Sequence, residues 1–419
     1  MKIANISLND LSGGASIFAK RQHESFLKKN INSKFFIFEK NLNSSSVKII
    51  SFKKNYLRAL IKKLFFFFLT SKNKYSFYNQ GFYKINSIKE LAKLQNFKPD
   101  VVIFYTNSDL INPKLLEEIS LSKKTIFLFY LMDYEFLTGG CHYPWECLGY
   151  RSKCRNCPAV RLPLIWLPSK NLLKKEKYLK KICHYYVAGT KDFKLKIERS
   201  SIFQKGGKVF LNYLGLDLRK FCIKNIKRDD ELSFCFRASL NPRKGQAIFI
   251  ETIKYLKNNY PNFFNNVKFN IIGDSSICGF FDTLNIKYKF HNNVVSAEDL
   301  VNFYNSSDFM INYTIEDAGP MMINESLACG IPVISFRIGG AKEFILNNRN
   351  GFLVDKISHI DLARKLNFVK NISKKNILIM KLFSRKFALK KFNIDKNTSL
   401  LVNFIKTQLN KFKIEKKIN

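Results

Sequence analysis

Two carboxylate residues, eight positions apart, lie in the most informative stretch of the sequence. Asp317 stands just before a Gly-Pro pair, and Glu325 falls in the first turns of a predicted helix. We therefore expect one carboxylate on a loop and the other on a helix, both facing a ligand at the helix N-terminus. Backbone N–H groups there would face phosphate or sugar oxygens, and Glu325 would accept both hydroxyls of a ribose. The alternative is that Asp317 caps the helix and that Glu325 is exposed.

Two adjacent cations, Arg243 and Lys244, follow a predicted strand in the turn formed by residues 241–245. Cations on such a loop neutralise a diphosphate, and a departing nucleoside diphosphate needs that help. A solvated turn in a Lys-rich chain is the alternative.

Gly13 and Gly14 lie between the first strand and the first helix, where glycines let a ligand approach the backbone and the helix attracts anions. A turn that serves packing alone is the alternative for this pair.

Four cysteines lie within 17 residues: Cys141, Cys147, Cys154 and Cys157. In a chain that we expect to be cytoplasmic, such a group favours a structural zinc site. Reduced packing thiols and disulfide pairs are the alternatives. In each case we expect the cysteines to clamp a loop, residues 138–158, beside the acceptor side of the site.

The elements that must position these residues are those of an α/β protein. Short apolar runs such as residues 125–132 are typical of parallel strands covered on both faces. Helical patterns alternate with them, and the alternation restarts in the second half of the chain. We therefore predict two doubly wound, Rossmann-like domains that face each other across a cleft. Their expected bounds are 1–215 and 216–385, followed by helices over 386–419 that either stand apart or return to the first domain.

The charge balance is strongly basic, with 71 Lys and Arg residues against 32 Asp and Glu, a formal net charge of +39. Such a field favours polyanions or anionic membrane surfaces, although a general preference of the chain for Lys, Asn, Ile and Phe also explains the net charge.

Residues 53–74 mix bases with Leu and Phe, which predicts contact with an anionic membrane; burial is the alternative. With neither a signal peptide nor a spanning segment apparent, we expect a cytoplasmic protein at the inner face of the membrane.

Several stretches follow one another in the order of a known family. They are LSGGA at 11–15, LMDYEFLTGGCHY at 131–143, NYLGLD at 212–217, RKG at 243–245, IIGD at 271–274, DAGPMMINESLACGIP at 317–332, the glycine pair at 339–340 and NGFLV at 350–354. On these motifs the chain resembles the group 1, or family 4, retaining glycosyltransferases of GT-B fold. Within them it is similar to bacterial polysaccharide enzymes of the colanic-acid and lipopolysaccharide kind.

The resemblance implies a nucleotide-sugar site made mostly by the C-terminal domain. Glu325 would bind the donor ribose, and Asp317 or the neighbouring Glu316 would lie near the donor sugar. Lys244 and Arg243 would hold the diphosphate. The remaining donor-binding residues are Gly13 and Gly14, which would approach the phosphates or the acceptor, and Gly319, Pro320, Met321 and Met322, which would present backbone to the sugar. The chemistry would require no cofactor.

Three departures from the family pattern matter for the site. The first acid is Asp317 rather than Glu, with Glu316 one residue earlier, so either carboxylate could face the sugar. Ser239 occupies a position where the family often has Arg, so Arg243 or Arg237 would substitute. Met132 occupies a position where many members carry a His that contacts the donor sugar, and a thioether donates no hydrogen bond. Asp133 and His142 are the nearest residues that would replace this contact.

The expected activity is transfer of a hexose or deoxyhexose from a nucleotide sugar to a glycan acceptor, which we expect to be lipid-linked. One alternative is a nucleotide-sugar epimerase of the same fold. The other is a basic, zinc-containing protein that binds nucleic acid. Carboxylates at the site would repel a phosphate backbone, so we expect no nucleic-acid partner.

Overall fold

A computed structural model describes residues 1–9, 13–38, 47–49, 60–61, 64, 74–79, 88–105, 112–122, 125–203, 207–225, 230–292, 294, 296–319 and 321–418. The chain divides into two compact units, Met1–Tyr213 with Asp395–Asn419 (unit 1) and Leu214–Ile394 (unit 2). The bounds drawn from the sequence place the first junction two residues later and the second nine residues earlier. Most of residues 53–74, the predicted membrane-contacting segment, lie outside the described residues.

Unit 1 is built on a seven-stranded parallel sheet with the order β3-β2-β1-β4-β5-β6-β7. Its strands are β1 Lys2–Ile6, β2 Asn32–Ile37, β3 Val47–Ile49, β4 Val101–Phe104, β5 Ile126–Leu131, β6 His184–Ala188 and β7 Val209–Leu211. Its first helices are α1 Gly14–Lys28, α2 Ala92–Phe97, α3 Pro113–Ser122, α4 Leu167–Leu179 and α5 Lys191–Glu198. Every residue of β4 and β5 is buried, as expected for central strands covered on both faces.

Unit 2 is built on a six-stranded parallel sheet with the order β10-β9-β8-β11-β12-β13. Its strands are β8 Leu232–Ala238, β9 Val267–Gly273, β10 Tyr288–Phe290, β11 Phe309–Asn312, β12 Val333–Phe336 and β13 Gly351–Val354. Its helices are α6 Gln246–Asn259, α7 Ser276–Thr283, α8 Ala297–Asn305, α9 Met321–Ala328, α10 Ala341–Phe344, α11 His359–Lys370 and α12 Lys374–Lys391. Phenylalanines dominate its core, with Phe236, Phe249 and Phe281 fully buried.

The last helix, α13 Ile394–Ile418, belongs to unit 1. Gln22 on α1 donates a hydrogen bond from Nε2 to Thr398 Oγ1 at 2.7 Å. The ring of Phe404 stacks on that of Phe210 with centroids 4.5 Å apart. By contrast α12 stays with unit 2, because Ile377 and Met380 are buried in its core.

Two all-parallel sheets, each connected through helices, confirm the α/β architecture predicted from the sequence. Among the described helices, none combines the length and the apolar character needed to cross a bilayer.

Candidate functional site

The sheet of unit 2 brings two of the predicted loops together. Strand β8 lies between β9 and β11, so the chain leaves β8 and β11 in opposite directions across the sheet. In open parallel sheets, ligands bind at such a reversal, outside the carboxyl ends of the strands. Residues 241–245 follow β8 and residues 313–319 follow β11. The carbonyl of Arg243 accepts hydrogen bonds from the amides of Ile315 at 2.9 Å and Glu316 at 3.3 Å, which fixes one loop to the other.

Asp317 forms the charged centre of this loop pair. Its Oδ2 atom lies 3.1 Å from a guanidinium nitrogen of Arg243 and 2.8 Å from Lys244 Nζ. Burial alone would raise the pKa of Asp317, but the two cations outweigh burial and hold it well below its usual value. Burial lowers the pKa of Lys244, and the attraction of Asp317 opposes that change. The two cations predicted to hold a diphosphate are therefore adjacent and share one carboxylate.

Gly245 makes this close approach of the loops feasible. Its φ of +75° lies in the left-handed region that favours glycine. A Cβ at this position would lie 2.2 Å from the carbonyl oxygen of Tyr313. Any other residue would therefore force the loop carrying Arg243 and Lys244 away from β11.

Glu325 lies on α9 as predicted, and it is buried rather than exposed. Its Oε2 atom accepts a hydrogen bond from the phenol of Tyr304 at 3.1 Å. Burial raises the pKa of Tyr304 well above its usual value, and the nearby charge of Glu325 acts in the same direction. Arg237, at the end of β8, acts on the pKa of both Tyr304 and Lys244. The charge of Arg237 is therefore close enough to affect both Lys244, at the proposed diphosphate position, and Tyr304, the partner of Glu325.

The structure also places Glu316, Gly319, Met321 and Met322, which were predicted to lie near the donor sugar. Glu316 contributes its backbone carbonyl, which accepts a hydrogen bond from Arg243 at 3.3 Å, while Asp317 supplies the paired side chain. The amide of Gly319, predicted to face the donor sugar, donates instead to Asp317 Oδ1 at 3.1 Å. Met321 and Met322 form the first turn of α9 and are half-buried, whereas Pro320 lies outside the described residues.

In unit 1, Gly13 lies at the corresponding reversal of the sheet, because β1 pairs with both β2 and β4. Its φ is +80°, and a Cβ there would meet no atom within 4 Å among the described residues. Gly14 is the first residue of α1, and Ile17 donates its amide to the carbonyl of Gly13 at 3.1 Å. Within the part of the chain that the structure describes, nothing therefore covers the backbone at Gly13.

The loop after β5 places Asp133 and His142 side by side. Their Oδ2 and Nδ1 atoms are 3.5 Å apart, and Tyr134 donates its amide to the carbonyl of His142. A buried ion pair supports this loop: Lys175 Nζ on α4 lies 2.8 Å from Glu135 Oε1. The same amine donates to the backbone carbonyls of Glu135 and Thr138. Lys175 was missed from the sequence because nothing distinguishes it from the other lysines of a Lys-rich helix.

The four clustered cysteines lie close to one another in unit 1. Cys141 and Cys157 belong to one buried apolar cluster, and three of the four cysteines are buried. Cys147 Sγ accepts a hydrogen bond from the amide of Gly149, and Cys154 Sγ accepts one from Gly139, both at 3.4 Å. Within the described ranges, no three His, Cys, Asp or Glu side chains are arranged as metal ligands. The zinc site stays a prediction.

Residues 219–377 match the family described as glycosyl transferases group 1. This match covers most of unit 2 and includes Arg243, Lys244, Asp317 and Glu325. An uncharacterized glycosyltransferase of Methanocaldococcus jannaschii is 28% identical over 163 residues, which is 37% of this chain and 44% of that protein. The chain spans less than half the length of the curated relatives it matches.

Solved structures match nearly the whole chain. Sucrose-phosphate synthase from Thermosynechococcus elongatus superposes with a TM-score of 0.69 at 13% identity, covering 97% of this chain and 98% of that one. Anabaena HepE in complex with UDP and glucose gives a TM-score of 0.62 at 14% identity, covering 97% and 99%. These similarities establish that the chain has the fold of these proteins, the two-domain GT-B architecture that the sequence predicted.

Proposed function

We propose that this protein is a retaining glycosyltransferase that uses a nucleotide-sugar donor. The observation that carries the proposal is the group formed by Arg243, Lys244 and Asp317, in the same unit as a buried Glu325. Two adjacent cations fit a diphosphate, and a buried carboxylate fits the hydroxyls of a ribose. The match of residues 219–377 to group 1 glycosyl transferases supports the same conclusion.

Lys244 and Arg243 bind the diphosphate of the donor in this proposal. Asp317 holds both cations in position before the donor arrives, so the phosphate oxygens meet preorganised charges. Glu325 accepts hydrogen bonds from the ribose hydroxyls, and Tyr304 fixes the orientation of its carboxylate. Arg237 supplies further positive charge on the side where Ser239 replaces the arginine expected from the family.

The reaction transfers the sugar to an acceptor hydroxyl. The bond from the anomeric carbon to the diphosphate oxygen breaks while a bond to the acceptor oxygen forms on the same face of the sugar. The electron pair of the broken bond goes to the diphosphate, which the cations stabilise. The acceptor proton passes to a phosphate oxygen of the leaving group. No cofactor is required for these steps.

The acceptor side is assigned to unit 1. In this proposal, Asp133 and His142 contact the donor sugar or the acceptor hydroxyl. The buried ion pair of Lys175 and Glu135 holds the loop that carries them. Gly13 and Gly14 would offer an open backbone to the phosphates or to the acceptor. The resemblance to polysaccharide enzymes supports a hexose or deoxyhexose donor and a lipid-linked glycan acceptor, at the cytoplasmic face of a membrane.

A structural zinc bound by Cys141, Cys147, Cys154 and Cys157 completes the proposal. Thiolates are the usual ligands of structural zinc, and backbone amides already donate to two of the four sulfurs. Zinc binding would require the four side chains to rearrange, because no three of them are arranged as metal ligands within the described residues. The role of the zinc would be to clamp residues 138–158, which include His142, beside the acceptor side of the site.

Ligand-dependent thermal stabilisation tests the proposed function. A ligand that binds only the folded state raises the melting temperature, and the rise grows with the ligand concentration relative to its Kd. We expect one class of nucleoside diphosphate and its sugar conjugate to raise Tm, and duplex DNA to leave it unchanged once salt screens the net charge. Slow hydrolysis of that same donor, with the α-anomer of the sugar released first from an α-linked donor, would support retention. Stabilisation by DNA without any nucleotide effect would contradict the proposal.

A further inference from the structure

Helix α12 presents an exposed apolar stripe. Leu378, Ile379 and Leu382 are 59%, 55% and 58% exposed, and Leu389, two turns further on, is 48% exposed. Residues three, four and seven positions apart lie on one face of a helix, so these four side chains share one face, on which Arg385 and Lys386 lie between Leu382 and Leu389. Among the described elements, no other carries as many exposed large apolar side chains.

The opposite face of α12 is anchored to unit 2. Ile377, Met380, Ser384 and Ala388 are buried, which fixes which side of the helix faces outward. Arg385 donates hydrogen bonds to the carbonyls of Phe221, Ala328 and Leu218 at 2.5, 2.7 and 2.8 Å. The helix cannot rotate about its axis without breaking these bonds. The fold therefore keeps the stripe exposed.

Positive charge borders the stripe. The 18 residues of α12 contain six Lys and one Arg, with neither Asp nor Glu. Lys374 and Lys381 pair with Asp230 and Asp308. Lys375 and Lys390 are exposed at the two ends of the stripe, and Lys386 is exposed between Leu382 and Leu389. From Lys375 to Lys390 the surface is about 22 Å long, at 1.5 Å per residue.

We propose that this face of α12 docks onto an anionic phospholipid bilayer. An aliphatic row flanked by lysines has the form of an interfacial helix, with apolar side chains among the acyl chains and ammonium groups at the phosphates. We favour a bilayer over a protein with an acidic groove, because a bilayer presents an apolar layer and anionic phosphates on one surface. The inference is independent of the sugar chemistry proposed above.

Vesicle co-sedimentation tests this docking surface. We expect the full-length protein to bind vesicles of phosphatidylcholine with phosphatidylglycerol, and to bind pure phosphatidylcholine far more weakly. The double variant Leu378→Asn/Leu382→Asn should reduce binding about tenfold, since two apolar side chains no longer enter the bilayer. Lys386→Glu/Lys390→Glu should reduce the preference for anionic vesicles while leaving the apolar row intact. Donor hydrolysis without vesicles should stay at the wild-type rate in both variants.

A matched control uses exposed leucines elsewhere. Leu195 on α5 and Leu400 on α13 are 50% and 49% exposed, so Leu195→Asn/Leu400→Asn makes the same chemical change away from α12. Equal loss of vesicle binding in this control would overturn the proposal, as would unchanged binding of the α12 variants. Concentration-dependent self-association that disappears in Leu378→Asn/Leu382→Asn, with vesicle binding retained, would identify the face as a contact between copies and overturn the membrane assignment.

Discussion

The phenol of Tyr304 donates a hydrogen bond to Oε2 of Glu325 at 3.1 Å, and both side chains are buried. The bond joins α8 to α9 and leaves the carboxylate only limited freedom to rotate. A carboxylate held in this way can meet two ribose hydroxyls with little loss of conformational entropy.

Replacing Glu325 should therefore disable donor binding. We expect Glu325→Ala to lose at least about tenfold in donor affinity or turnover, equivalent to about 1.4 kcal/mol. Tyr304→Phe should lose roughly threefold to tenfold in donor affinity because it removes one hydrogen bond to a charged group. The measurement is donor affinity by calorimetry and KM by steady-state kinetics.

The two substitutions should be non-additive. If Tyr304 acts through the carboxylate, then Tyr304→Phe should have no further effect in the Glu325→Ala background. Tyr288→Phe is a matched control, since its phenol donates to Asp282 on the surface of unit 2. Full additivity would show that Tyr304 does not act through Glu325, and unchanged kinetics in a folded Glu325→Ala protein would remove Glu325 from the donor site.

Lys244 should control recognition of the diphosphate. We expect Lys244→Met to weaken nucleoside diphosphate binding at least about tenfold, because a charge-assisted contact to phosphate is lost. Lys244→Arg should retain part of the affinity. The affinity of the wild type should also fall with rising salt more steeply than that of Lys244→Met. Lys254→Met, on the exposed side of α6, removes the same charge as a control and should leave binding unchanged.

Asp317 should make stability depend on pH in the acidic range. Its pKa in the folded protein is below its usual value, mainly through the neighbouring Lys244 and Arg243, which outweigh burial. Because the pKa of Asp317 is lowered, the ionised carboxylate contributes its full stabilisation of the folded state at pH values above the unfolded-state pKa of about 3.9. This stabilisation is lost as the pH falls below that value. We expect Asp317→Asn to lower Tm by a few degrees near pH 7. The difference from wild type should shrink progressively below about pH 4.

Melting curves of wild type and Asp317→Asn across this pH range provide the measurement. Asp282→Asn, at an exposed acid of the same unit, serves as the control. A constant difference between wild type and Asp317→Asn down to pH 3 would show that the ion pair adds no stability through ionisation.

The cysteine cluster should bind zinc in the purified protein. We expect one zinc ion per chain by elemental analysis, and a lower melting temperature after treatment with a chelator. Cys147→Ser and Cys154→Ser should each remove the metal, whereas Cys278→Ser, outside the cluster, should retain it. Four freely titrating thiols without metal, or a disulfide found by mass spectrometry, would exclude zinc.

The strands and loops of unit 2 were largely predictable from the sequence. The apolar runs that became β8, β9, β11 and β12 are short and bounded by turn residues, so their period and length indicated strands directly. The loop positions of Arg243, Lys244 and Asp317 followed from those strands, because parallel strands direct their carboxyl ends to one edge.

The contacts inside the site were not predictable in the same way. Tyr304 appears in the sequence as one more aromatic residue on the apolar face of α8, and only the packing of α8 against α9 brings it to Glu325. The pairing of Asp317 with both cations likewise depends on how closely two loops approach, which Gly245 decides. Local sequence patterns carry no information on such distances between elements.

The return of α13 to unit 1 has a consequence for biosynthesis. Thr398 bonds to Gln22, and Phe404 stacks on Phe210. Both residues of α13 are translated only after all of unit 2. The first half of the chain must therefore leave the ribosome with one side of its helical layer uncovered, and it completes its packing after the second half has been made. Expression of residues 1–213 alone should yield an aggregation-prone fragment, and adding residues 395–419 through a short linker should restore its solubility.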